Sequence, residues 1–291
     1  MSIIDLLNSE RAVIFIDGAM GTQLGQAGLE MGGVSNIANP DAVLAIHKKY
    51  AATGADLLIT NTLTMNRINI ESHNVGVEVR EVNLAGVRLA REAAGQGRYV
   101  LGDMSSTGKM LKPYGTLPEE DAFAAFKEQA AILAEGGADG LIIETMFDLR
   151  EAVCAVKAAK EACGLPVIAS VAFNTSGNQG RTVMGNTARQ CAEALSEAGA
   201  VAVGANCGSV DPLEMAELVA IMREASSLPL IAQPNAGKGR MVDKELVFDL
   251  SPADFAAGVQ ECVRAGARLV GGCCGTSPAH IQAMVESIGR A

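Results

Sequence analysis

The sequence predicts a (β/α)8 TIM barrel, a single domain over residues 1–291. Short apolar segments of strand character alternate with longer amphipathic segments along the whole chain. The alternation repeats eight times, the number that closes a parallel sheet on itself. No linker, low-complexity stretch or charge block interrupts it, so nothing marks a domain boundary. An open, doubly wound sheet is the alternative, and eight strand–helix units fit closure better.

The strands are expected at Val13–Asp17, Leu57–Asn61, Tyr99–Met104, Gly140–Glu144, Val167–Phe173, Ala202–Asn206, Leu230–Pro234 and Leu269–Gly272. Helices are expected between them at Ala42–Thr53, Val77–Ala94, Pro118–Glu135, Leu149–Ala162, Thr187–Ala198, Pro212–Ala225 and Pro252–Ala265, with Pro278–Ile288 closing the chain. Ser251-Pro252 and Ser277-Pro278 each place a capping hydroxyl before a proline suited to the first helical position. Gly54-Ala55, Gly137-Ala138, Gly199-Ala200 and Gly266-Ala267 stop a helix and turn the chain tightly into the next strand.

Composition narrows the function. Hydrophobic residues are 49% of the chain but aromatics only 3%, with no Trp, so the core must be aliphatic. A net charge of −10 without any Lys/Arg-rich run argues against nucleic acid and anionic membrane surfaces as partners. Met1-Ser2-Ile3-Ile4-Asp5 has no signal-peptide character, and no apolar run nears the roughly 20 residues of a membrane span. Seven cysteines, an odd number in a long chain, predict reduced thiols and a cytoplasmic location.

Barrel chemistry sits at the C-terminal ends of the strands. Those ends read Asp17-Gly18-Ala19-Met20-Gly21-Thr22, Thr60-Asn61-Thr62, Asp103-Met104-Ser105-Ser106, Glu144-Thr145, Phe173-Asn174-Thr175, Asn206-Cys207, Gln233-Pro234-Asn235 and Cys273-Cys274. Three thiolates, from Cys207, Cys273 and Cys274, can hold one zinc and leave its fourth position open to another thiol. Successive strand side chains face opposite ways, so Cys273 and Cys274 share an ion only if the backbone leaves strand geometry. Gly271, Gly272 and Gly275 permit that. Two other readings stay open: small buried hydrophobes, or a vicinal disulfide at Cys273-Cys274. Cys154, Cys163, Cys191 and Cys262 fall inside helices and are expected in the core.

Glu144 ends a strongly apolar strand, where a carboxylate is either solvated at the rim or paired with a cation such as a substrate ammonium. Asp17 precedes a Gly18-Ala19-Met20-Gly21 turn able to present backbone N–H groups to an anion; the alternative is a turn-forming role. Asn61, Thr62, Asn174 and Asn235 either orient a substrate or satisfy loop backbone. His47, His73 and His280 are not clustered at strand ends, so no catalytic histidine is expected. Neither G-x-x-x-x-G-K-[ST] nor G-x-G-x-x-G follows a strand, and nucleotide chemistry is unsupported.

Asp17-Gly18-Ala19-Met20-Gly21-Thr22, Thr60-Asn61-Thr62, Glu144-Thr145, Gly204-Ala205-Asn206-Cys207-Gly208 and Gly271-Gly272-Cys273-Cys274-Gly275-Thr276 together resemble the zinc-dependent homocysteine S-methyltransferase family over nearly the whole chain. The resemblance implies Zn2+ on Cys207, Cys273 and Cys274, with homocysteine thiolate in the fourth position. It implies that Glu144 binds the amino group and that Asp17, Gly18 and Ala19 lie beside the carboxylate. Asn61, Thr62 and Asn174 are further candidate substrate contacts. Gly275-Thr276-Ser277-Pro278 and Pro234-Asn235-Ala236-Gly237 look most like the homocysteine-binding domain of cobalamin-dependent methionine synthase. The expected methyl donor is therefore methylcobalamin, or another methylcorrinoid, carried by a separate corrinoid protein. The alternatives are S-methylmethionine, S-adenosylmethionine or another small donor, a different thiol acceptor, and a non-catalytic thiol-binding protein.

Overall fold

Along Gly140–Met146 all but one residue is buried, the mark of a parallel strand covered on both faces. The same holds for most of its neighbours in the computed structural model, which describes residues 2–243 and 245–289. The strands are β1 (Ile14–Phe15), β2 (Leu57–Ile59), β3 (Tyr99–Met104), β4 (Gly140–Met146), β5 (Val167–Val171), β6 (Ala202–Asn206), β7 (Leu230–Gln233), β8 (Arg240–Val242), β9 (Glu245–Val247) and β10 (Ala267–Val270). The helices are α1 (Ile3–Leu7), α2 (Met20–Gln26), α3 (Ser35–Ala38), α4 (Pro40–Ala52), α5 (Arg67–Ser72), α6 (Val79–Ala94), α7 (Glu119–Glu135), α8 (Leu149–Ala162), α9 (Ala188–Ala198), α10 (Pro212–Ala225), α11 (Pro252–Arg264) and α12 (Pro278–Ile288).

Eight strands run parallel in the order β1-β10-β7-β6-β5-β4-β3-β2. A parallel bridge between Ile16 and Leu57 joins the two ends, so the sheet closes as a TIM barrel. Strand alternation divides the apolar residues into two sets. Ile14, Ile16, Leu57, Leu101, Ile142, Ile168, Ile231 and Leu269 form the inner cluster. Phe15, Leu58, Val100, Leu141, Ile143, Ala169, Val203 and Val270 belong to the larger cluster under the helices. Ile3, Leu6 and Leu7 of α1 join the inner cluster and plug the N-terminal end of the barrel.

The expected punctuation is observed. Gly54, Gly137, Gly199 and Gly266 have φ of 96°, 93°, 96° and 112°, values that a side chain would resist. Ser251 Oγ accepts the Asp254 N–H at 3.2 Å to cap α11. His280 helps close α12 instead of serving chemistry: its Nδ1 accepts the Ser277 N–H at 3.1 Å and its Nε2 contacts the Leu250 carbonyl at 2.9 Å.

Several elements differ from the sequence expectation: the first strand is only Ile14–Phe15, the second ends at Ile59, the fourth runs on to Met146, and the eighth expected strand is Ala267–Val270 instead of Leu269–Gly272. The fifth strand ends at Val171 instead of Phe173, with a last ladder bond from the Ala172 N–H to the Met146 carbonyl at 2.9 Å. The first barrel helix starts earlier, with Pro40 at its first turn. The short helices α1, α2, α3 and α5 and the β8–β9 hairpin are additional to the elements the sequence predicts. No helix among the described residues is long and apolar enough to cross a membrane.

Candidate active site

The inner face changes character toward the C-terminal end. Two residues above the apolar layer of Leu101, Ile142, Ile168 and Ile231, the same face presents Asp103, Glu144, Ser170 and Gln233. A cavity of about 280 Å³ opens there, lined among others by Gly18, Ala19, Asn61, Asp103, Glu144, Gln233 and all three candidate cysteines.

The cysteines arrive from two breaks in strand geometry. β6 ends at Asn206, and Cys207 and Gly208 then take left-handed φ of 54° and 73°. A Cβ on Gly208 would lie 2.2 Å from the Phe173 carbonyl oxygen, so only glycine lets the chain turn there. After β10 the Gly272 N–H donates to the Asp17 carbonyl at 3.0 Å, and the Cys273 N–H to the Pro234 carbonyl at 2.9 Å. These bonds carry the pairing with the first and seventh strands up to Cys273, and the chain leaves it at Cys274 and Gly275, whose φ is 80°. All three Sγ atoms lie within 4.8 Å of one another, and Cys207 Sγ and Cys274 Sγ are 3.8 Å apart. Tetrahedral zinc with Zn–S of about 2.3 Å requires sulfurs about 3.8 Å apart, so the donor set and its spacing fit the ion. The three sulfurs are unbridged.

Without an ion the cluster shares its protons. Hydrogen bonds from Cys207 and Cys273 pull the Cys274 thiol down to about 3. Cys273 is pushed well up by its sulfur neighbours and by burial. A hydrogen bond from Cys273 opposes the shift at Cys207, yet its bond to Cys274 and burial push it to about 12. The three thiols thus compete for their protons, and a bound cation would release them.

Carboxylates crowd the same region. Asp17 Oδ1, Asp103 Oδ1, Glu144 Oε2 and Gln233 Oε1 are buried acceptors without a hydrogen-bond partner among the described residues. Burial, then the charge of Cys274, raises Glu144 to about 7 against an opposing hydrogen bond from Gln233. Burial also lifts Asp17 and Asp103 well above the usual carboxylate range, and Glu144 adds to both shifts. No Lys, Arg or His is among the residues lining the cavity. Buried acceptors and thiolates without a cation make a site complementary to cations.

The turn after β1 becomes the start of a helix. Ala19 is the N-cap of α2, and its N–H donates to Thr276 Oγ1 at 3.0 Å. The N–H groups of Met20, Gly21 and Thr22 have no intrahelical acceptor, and these residues line the cavity. Asp17 stands behind this turn, with Oδ2 accepting the Ile59 N–H at 3.1 Å.

The remaining candidates separate. Asn61 borders the cavity but spends its Nδ2 on the Gly32 carbonyl (2.9 Å) and Asn36 Oδ1 (3.1 Å). Thr62 turns away: its hydroxyl donates to the Asp103 carbonyl at 2.8 Å and its methyl packs where a side chain on Gly86 would stand. Asn174 is exposed, outside the cavity lining, its N–H on the Arg181 carbonyl at 2.7 Å. Asp103, Gln233 and Thr145, to which the sequence assigns no role of their own, also line the cavity. Thr145 has φ of 59°, an outlying conformation for a β-branched residue that costs about 1–3 kcal/mol. The signal that finds Asp103 and Gln233 is the period-two register counted upward from the inner apolar layer.

Comparison with known proteins accords with this geometry. The family described as Homocysteine S-methyltransferase matches residues 14–288. Methionine synthases from Mycobacterium leprae and Mycobacterium tuberculosis are each 31% identical over 308 and 307 residues, covering 98% of this chain and 25% of theirs. The chain thus spans about a quarter of the length of these relatives. Among solved structures, the homocysteine methyltransferase MmuM from Escherichia coli in its oxidized form superposes with a TM-score of 0.80 at 22% identity, over 98% of this chain and 99% of that one.

Proposed function

Because the chain belongs to the homocysteine S-methyltransferase family, we propose that it transfers a methyl group to the thiol of homocysteine, giving methionine. In this reading Cys207, Cys273 and Cys274 hold zinc, and a methylcorrinoid delivers the methyl. The observation that carries it is the meeting of three sulfurs with unneutralised, buried acceptors in one cavity. Zinc bound there supplies a Lewis acid that keeps an incoming thiol ionised at neutral pH.

The chain's own residues bind and orient. Glu144 accepts the substrate ammonium, whose charge offsets burial and draws the group from about 7 into its carboxylate form. Asp103, on the adjacent strand, offers a second unpaired acceptor. The unused N–H groups at the start of α2 face the substrate carboxylate. Held at both polar ends, the substrate has one direction left for its thiol, toward the cysteines. The thiol proton passes to solvent, the sulfur lone pair attacks the methyl carbon, and the donor–carbon bond breaks as the S–C bond forms. Were the donor a methylcorrinoid, cobalt(I) would keep the electron pair of the broken bond, and no proton would be needed.

A bulky donor is supported by the ground beside the site. A second cavity of about 570 Å³ shares Leu63, Thr64 and Thr145 with the first, and Met110, Phe147 and Val183 are exposed along it. Such an apolar rim suits a large, partly apolar ligand. The test is a donor screen on zinc-loaded protein with homocysteine. Methionine formation with loss of methyl–cobalt absorbance is expected from methylcobalamin or a methylated corrinoid protein. Turnover with S-methylmethionine or S-adenosylmethionine alone would overturn the donor assignment. No methionine from any donor would overturn the reaction.

A further inference from the structure

The side chain of Asn206 is fully buried and uses its whole hydrogen-bonding capacity. Oδ1 accepts the Thr145 N–H at 2.8 Å and the Ser170 hydroxyl at 2.7 Å. Nδ2 donates to Thr145 Oγ1 at 2.7 Å and toward Cys273 Sγ at 3.8 Å. The backbone N–H of Thr145 can only donate, which fixes the amide's orientation and aims its own N–H at the sulfur. Both polar contacts of Thr145 therefore end on one residue, and they hold it at φ 59°. Glu144 immediately precedes it, and Thr145 lines both cavities.

We propose that Asn206 is a positioning residue that ties the Glu144–Thr145 corner of β4 to the sulfur of Cys273, so that the ammonium pocket and the thiolate shell keep one relative placement. The inference rests on the zinc and homocysteine reading given above. The N–H toward Cys273 also withdraws charge from that sulfur. This lowers its affinity for a methyl group relative to the substrate's sulfur and fixes its direction toward the ion.

Two measurements test it. In wild-type protein loaded with spin-active cadmium, a scalar coupling is expected between the metal and one Asn206 side-chain amide proton, transmitted through the N–H···S bond. In Asn206→Asp both acceptor contacts remain while the donor is lost. Metal affinity, read by chelator competition, should fall about 10- to 100-fold. The thiolate-to-metal charge-transfer band of the cobalt(II) form should move to longer wavelength, because an unbonded sulfur lone pair lies higher, and KM for homocysteine should rise. Ser170→Ala, which removes only the support behind the amide, should lower stability without moving that band. An Asn206 amide resonance seen without coupling, or a folded Asn206→Asp protein with an unshifted band and metal affinity within about twofold of wild type, would overturn the proposal. Failure of the zinc reading shows separately, as wild-type protein that binds none of these ions. Failure of the methyl-transfer reading shows as metal-loaded wild type with the coupling intact and no methionine formed.

Discussion

Replacing Glu144 by Gln should make the metal-free protein more stable and unable to hold homocysteine. The side chain is 8% exposed, and one of its oxygens is buried without a partner. Burial and the Cys274 charge raise its pKa from 4.5 to about 7. Between those values the unfolded chain has lost a proton that the folded chain retains, so stability falls as pH rises through the window. The full shift corresponds to about 3 kcal/mol, lost by about pH 8, while at pH 5 less than about 1 kcal/mol has gone. Gln preserves the shape and cannot ionise. The variant should therefore gain about 3 kcal/mol over wild type at pH 8 and under about 1 kcal/mol at pH 5. With no Trp in the chain, urea unfolding followed by far-ultraviolet circular dichroism in chelator and reductant is the suitable assay. Homocysteine binding to the zinc-loaded variant is measured beside it. A variant less stable than wild type at pH 8, or one whose gain is equal at both pH values, would refute the reasoning. So would undiminished affinity for homocysteine.

Three further outcomes are expected. His47 is fully buried in α4 with both ring nitrogens unpartnered among the described residues, and burial lowers it from 6.5 to about 4. Here the unfolded chain binds the extra proton, so stability is lost as pH falls from above 6.5 toward 4, about 2 kcal/mol by pH 5. His47→Leu should remove that slope in the same urea titration. Cys207→Ala should lose zinc and methyl transfer together, read by elemental analysis and methionine formation on reduced protein. Gly208→Ala forces a Cβ to 2.2 Å from the Phe173 carbonyl at φ 73°. It should lower stability by more than about 1 kcal/mol and weaken zinc binding, measured by urea unfolding and chelator competition.

The fold was legible because each strand is an apolar run ended by glycine or a polar residue, and each Gly-Ala pair marks a return into the barrel. What escaped was short or set by tertiary context. α1 has five residues, too few for a helical period to register, and its role as a plug depends on the inner cluster it meets. The β8–β9 hairpin lies between β7 and α11, in a stretch where no apolar alternation stands out. At the site, the cysteines were legible because their glycine neighbours announced a break in strand geometry. Thr62 and Asn174 also stood at strand ends, but residue type alone does not say which way a side chain turns. Thr62 found the Asp103 carbonyl and the space beside Gly86, and Asn174 continued outward along a surface loop. Asp103 and Gln233 were visible as polar strand ends, yet only the closure of the barrel brings them to one cavity with Glu144.

The electrostatics of the barrel mouth explain why this layer is polar at the expense of stability. Burial raises Asp17, Asp103 and Glu144 alike; Glu144 adds to the shifts of both aspartates, and the charge of Cys274 adds to that of Glu144. A protein selected for stability alone would place apolar side chains there, as it does one layer below with Leu101 and Ile142. The cavity has its acceptors already desolvated and aimed, so a guest bringing positive charge meets no further reorganisation. Two cationic groups are needed, one at the sulfurs and one at the carboxylates, and they differ in kind: the sulfurs suit a soft ion, the carboxylates a hydrogen-bonding ammonium. In the proposed reading zinc meets the first demand and the ammonium of an amino acid thiol the second, while its sulfur reaches the ion. A simple alkyl thiol would also reach the ion but would bring no ammonium to Glu144 and Asp103, a penalty of the kind by which polar sites reject analogues that lack the matching group.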